Sequence, residues 1–73
     1  MLRYTIRPRH IGPDIIIEKS HNVTMREIAE GFARTIGLLV VVDGVKLDDL
    51  GEPYLEITIG TDKRFIVFGG VPS

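Results

Sequence analysis

A small α+β domain, one helix packed on one face of a β-sheet, is the fold class this sequence predicts, and three observations predict it. Residues 25–36 carry apolar side chains at helical spacing behind a capping signal. Residues 2–7 and 54–59 alternate apolar and polar with period two. Short aliphatic or aromatic runs at 15–17, 38–42 and 65–68 are bounded by Gly, Pro, Asp and charged residues, which is how strands read rather than helices. At 73 residues the chain has room for a single core.

Taken in order, residues 2–7 form a half-buried strand with Leu2, Tyr4 and Ile6 inward. Pro8, Gly12 and Pro13 break it, because proline supplies no ladder donor. Ile15, Ile17 and their neighbour Ile16 make a second strand, and the two form a hairpin with a stiff loop. Thr24 and Glu27 have capping-box spacing, and Val23 and Ile28 sit at hydrophobic-staple positions. Met25, Ile28, Ala29, Phe32, Ala33 and Ile36 then line one helix face, with Arg26, Glu27, Glu30 and Arg34 on the other. Gly37 is placed to end the helix as a left-handed cap. Gly31, inside it, costs about 1 kcal/mol against Ala and is either tolerated or a point of close backbone approach. Residues 38–42 read as a central strand buried on both faces. Asp43 and Gly44 are the favoured pair for a tight hairpin turn, with 45–47 returning. Residues 48–53 make a polar loop, 54–59 a strand with Leu55, Ile57 and Ile59 on one side, and 65–68 a last buried strand.

That order resembles the β-grasp fold of the ubiquitin superfamily. The resemblance rests on Met1 opening directly into the first strand, the helix closing at Gly37, the run from Gly44 through Val45, Lys46, Leu47, Asp48 and Asp49, and the Gly69–Gly70 pair after the final strand. The Val42-Asp43-Gly44 turn and the Phe68-Gly69-Gly70 end are also similar to the small sulfur-carrier proteins of thiamine and molybdopterin synthesis. The resemblance implies a ββαββ(β) arrangement with a mixed sheet and the helix on one face, in a single β-grasp-like domain at 1–70 with a short tail at 71–73. It further implies a non-enzymatic protein acting by protein–protein binding, with a modifier or carrier branch. In that branch Gly69 and Gly70 are the conjugation or processing site, freed by a cut after Gly70. The plain alternative is a strand end followed by a frayed tail.

Composition narrows the function classes. There is no cysteine, so disulfides, thiolate metal sites and a cysteine nucleophile are excluded. No apolar run is long enough to span a membrane, no signal core is present, and a cytoplasmic protein is expected. Nine basic and ten acidic residues leave a net charge of −1, which argues against general nucleic-acid or anionic-membrane binding. One compact basic loop remains, with Arg7, Arg9 and His10, and with Lys19 and Arg26 joining it if the hairpin packs beside the helix start. This is the candidate anion or nucleic-acid site, and solvated loop charges are its ordinary explanation. His10 and His21 match no metal-ligand spacing, and Ser20 beside His21 lacks any nucleophile elbow. No catalytic residue, metal site or cofactor is expected. The hydrophobic content of 44% is high for so small a chain, which points to a protein partner, or a second copy in a homo-oligomer, bound at the free sheet face or at an edge strand.

Overall fold

The computed structural model describes residues 1–72 and is α+β. It contains β1 (Leu2–Pro8), β2 (Ile15–Lys19), α1 (Met25–Ile36), β3 (Val40–Leu47), β4 (Pro53–Ile59) and β5 (Lys63–Pro72). The strands form one sheet in the order β2-β1-β5-β4-β3. The helix behaves as its caps dictate. Thr24 Oγ1 accepts from Glu27 N at 3.1 Å. At the other end Gly37 is left-handed (φ 73°), and the amides of Gly37 and Leu38 bond the carbonyls of Arg34 (3.2 Å) and Ala33 (3.0 Å), the two bonds of a Schellman motif. No helix among the described residues is long and apolar enough to cross a membrane.

The core lies between α1 and one sheet face. Tyr4 and Ile6 of β1, Leu55, Ile57 and Ile59 of β4, and Phe65 and Val67 of β5 are buried against Ile28, Ala29 and Ala33. These are the positions that the period-two and helical patterns point inward. Phe32 meets Phe65 edge-on at 5.7 Å, a favoured aromatic geometry. Ile36, placed by spacing on the inner face, is 45% exposed because the helix is ending there. Tyr4 also ties the chain together: its hydroxyl donates to Val23 O and accepts from Val23 N, both at 2.8 Å. This anchors the segment before the helix to the first strand.

Four expectations are corrected. The sheet is wholly antiparallel, not mixed: β5 runs antiparallel to β1. Strands joined by tight turns alternate in direction, so β5 takes the direction of β3. Across the sheet β2, β5 and β3 all run opposite to β1 and β4, so the connection through α1 joins two strands of the same direction that are not neighbours, and no neighbouring pair is parallel. Residues 38–42 are not a central strand. β3 starts at Val40 and lies at the sheet edge, with Leu38, Leu39 and Val41 exposed. Asp43 and Gly44 do not turn the chain. They form a β-bulge within β3, where the register with β4 slips between Val42 and Gly44. Gly44 has φ 142°, a conformation that favours glycine. Asp43 Oδ2 is held by the Thr58 hydroxyl at 2.8 Å. The reversal comes later, where Asp48 Oδ1 accepts from the amides of Leu50 (2.9 Å) and Glu52 (2.8 Å), so the aspartate side chain supplies the turn's scaffold. Finally, 71 and 72 are not a tail. They continue β5, with Val71 opposite Arg3 and Pro72 opposite Leu2.

Candidate functional site

The expected processing pair is built into the sheet. Between the partners Arg3↔Val71 and Thr5↔Phe68, Gly69 and Gly70 stand against the single residue Tyr4, which is a second bulge. A Cβ on Gly70 would lie 2.8 Å from Cζ of the Tyr4 ring, whereas one on Gly69 would meet nothing within 4 Å. Gly70 is therefore explained by an aromatic ring covering its backbone, a recognised way to stabilise a strand glycine. The terminal Ser73 of the expected tail lies outside the described residues.

The basic set is divided. Arg7, on the outer sheet face, donates from Nε to Asp14 Oδ1 at 3.1 Å and from Nη2 to Oδ2 at 3.0 Å. Those bonds hold the Asp14 carboxyl below its usual pKa. The Arg7 guanidinium also covers the Phe68 ring at 5.1 Å. Arg9 Nη1 reaches Glu56 Oε2 at 3.2 Å, and Lys46 Nζ takes Oε1 of the same carboxylate at 3.2 Å. His10 is turned to the other side, edge-on to Phe65 at 5.7 Å. Lys19 pairs with Leu2 at the far end of β1, five residues from Arg7 and so about 17 Å away along the strand. Arg26 is exposed in the first helical turn. Arg7 and Arg9 are thus neutralised by Asp14 and Glu56, and Lys19 and Arg26 do not join them in one patch. Arg7, Arg9 and Lys46 each meet a carboxylate, Asp14 for the first and Glu56 for the other two.

Two surfaces stand out that were not located in advance. The first is a groove of about 730 Å³ between β2 and α1, lined by Ile15, Ile17, Phe32, Glu27, Arg34 and Thr35 among others. It exists because α1 lies over the middle of the sheet and packs on β4, β5, β3 and β1, leaving β2 beside its footprint.

The second is the β3 edge. Leu39 and Leu50 are 85% and 89% exposed, Val41 57%, and Val45 and Leu47 are also open to solvent. Val41 lies on the outer face opposite Thr58 and Val45 on the helix face opposite Leu55, so both faces of this eight-residue strand carry exposed aliphatics, and it has β4 on one side and no strand among the described residues on the other. The opposite edge contrasts with it. β2 has five residues, follows Pro13 and ends in Glu18 and Lys19, the short, charged form by which proteins blunt an edge. The signal for β3 was present in the sequence as five consecutive aliphatics, but burial and edge exposure both draw on such a run.

Searches of family models, of curated proteins and of solved structures with this chain returned no match in any of the three.

Proposed function

We propose that this protein is a non-catalytic binding module that works by docking another polypeptide along the exposed edge of β3. The observation that carries the reading is the asymmetry between the two sheet edges. One is short and ends in charges; the other is longer and opens on three consecutive valines, Val40–Val42, before its bulge. An open edge offers unpaired amides and carbonyls as a template for an added strand, and exposed side chains beside it supply apolar area. The helix roofing one sheet face after an N-terminal hairpin is what the chain shares with the ubiquitin-like β-grasp superfamily, with which a binding role agrees, whereas the antiparallel pairing of β5 with β1 counts against that relationship. The modifier and carrier branch has less support: it needs a thin, mobile glycine arm, and Gly69 and Gly70 form a bulge inside β5, flanked by the pairs Arg3↔Val71 and Thr5↔Phe68, with Gly70 against the Tyr4 ring. The anion-binding alternative is weakened in the same way by the Arg7–Asp14 and Arg9–Glu56 pairs.

The test is site-specific photo-crosslinking of the full chain inside cells that produce it. A photoreactive residue at Val45, on the β3 edge, is expected to give discrete adducts with protein. The same residue at Glu18, on the β2 edge, is expected to give few. Equal or absent adducts at the two positions would remove the reading.

A further inference from the structure

We infer that the occupant of the β3 edge is a second copy of this chain, docked antiparallel across a two-fold axis at Val41. The inference rests on β3 being the docking edge and names what docks there. Backbone direction comes first. Gly60 N donates to Leu39 O at 3.0 Å, and the β3–β4 register is Val40↔Ile59, Val41↔Thr58, Val42↔Ile57. Hydrogen-bonded pairs alternate along an antiparallel ladder. Leu39 and Val41 therefore turn their amides and carbonyls toward β4, and Val40 and Val42 turn theirs to the open side. An axis at Val41 sets Val40 against Val42 of the second copy, and Val42 against its Val40. Each such pair exchanges two N–H···O bonds, and the two Val41 residues face each other as a non-hydrogen-bonded pair. The side chains match as well. Val40 and Val42 belong to the helix face and pack against the core, while Val41 is on the outer face, so each face of the sheet continues into its own kind.

Other self-pairings conflict with features of the chain. An axis at Val40 needs the Leu38 amide, which is bonded to the Ala33 carbonyl at 3.0 Å. An axis at Val42 sets Val40 against Gly44, beyond the bulge that shifts the register, where face and hydrogen-bond alternation no longer agree. An axis at Lys46 opposes two ammonium groups, which is destabilising for directly paired residues. One register uses every outward backbone group of the regular part of β3 and opposes only valines. A stable interface takes about 800 Å² from each partner, roughly a sixth of the 4989 Å² surface of the chain. The paired valines fall short of that alone, and the exposed Ile36, Leu38 and Leu39, within five residues of the axis, enlarge the contact.

The absence of cysteine makes a clean test. The purified full chain is prepared as Val41→Cys and as Val45→Cys, both at exposed positions, with circular dichroism melts confirming that each folds. In the proposed dimer the two Val41 Cα atoms are about 4.5 Å apart, within disulfide reach, and the two Val45 positions are about 25 Å apart. Val41→Cys is expected to oxidise to a covalent dimer at least about tenfold faster than Val45→Cys. Wild-type protein is expected to sediment as a dimer at about 100 µM, a concentration that populates even a weak complex, and Val41→Lys as a monomer. Equal oxidation rates, or a wild-type monomer at that concentration, would overturn the second copy as occupant. That result would leave the edge itself standing if Val45 still crosslinks to a different protein in cells; loss of both would end the two readings together.

Discussion

Gly70 and Tyr4 show how closely a single residue can be specified here. The ring that buries against the core also covers the Gly70 backbone, and its hydroxyl holds both backbone groups of Val23. Gly70→Ala puts a methyl 2.8 Å from the ring carbon. The expected loss is about 1–3 kcal/mol, the range for overpacking. Gly69→Ala, with nothing within 4 Å, is expected to stay within about 0.5 kcal/mol of wild type. Urea denaturation of the two variants measures the difference, and equal costs would show that the pair acts as a flexible segment. The Arg7–Asp14 pair carries a pH signature. The guanidinium hydrogen bonds lower the Asp14 pKa in the folded state, so the folded protein releases this proton more readily than the unfolded chain. The contribution is complete above the ordinary carboxylate value of about 3.9 and fades as pH falls through the lowered value. Asp14→Asn should therefore narrow its stability gap to wild type on acidification below that window, in melts followed from neutral to acid pH. A gap independent of pH would mean that the pair contributes through shape and not charge.

At the level of the element, the helix is the part in which local signals and final structure agree most fully. Its cap, its Schellman close and its inward face all follow from residues within it. Gly31 is the exception. No backbone approaches it; a Cβ there would meet only the Arg34 guanidinium at 4.0 Å. Gly31→Ala is accordingly expected to stabilise the protein by about 0.5–1 kcal/mol, through helix propensity and a less mobile unfolded chain. Destabilisation would reveal a need for open space in the groove beside β2. In β3 the local signals mislead. Asp43 and Gly44 are an excellent hairpin pair by type. Yet Asp43 is engaged by Thr58, and the Asp48 carboxylate organises a better reversal five residues on, so the pair becomes a bulge.

For the whole molecule, the arrangement of the strands decides what is exposed. The meander β3-β4-β5 carries the most apolar strand of the chain outward and leaves β3 with one side open. If that side is satisfied by mass action, folding and association are linked. The apparent stability of the wild-type chain should then rise with protein concentration, by about 2.7 kcal/mol once the free partner exceeds the dissociation constant a hundredfold. Thermal melts across a wide concentration series check this. A melting temperature that does not change with concentration would show that the folded chain gains nothing from a partner of its own kind.

The amino-acid sequence alone determined the α+β class, the helix with both its ends, the strand positions at β1, β2 and β4, and the inward set headed by Tyr4, Ile6, Leu55 and Ile57. Each of these depends on periodicity or on contacts between residues a few positions apart. Only the tertiary structure decided that the sheet is antiparallel throughout, that β3 is an edge rather than a centre, that Gly69 and Gly70 form a bulge opposite Tyr4, and that Arg7 and Arg9 are paired with carboxylates away from Lys19 and Arg26. The physical reason is shared. A run such as 38–42 records how apolar a strand is, but whether its two sides meet protein or water depends on which strand comes to lie beside it, and that is set by pairing between residues far apart in the chain.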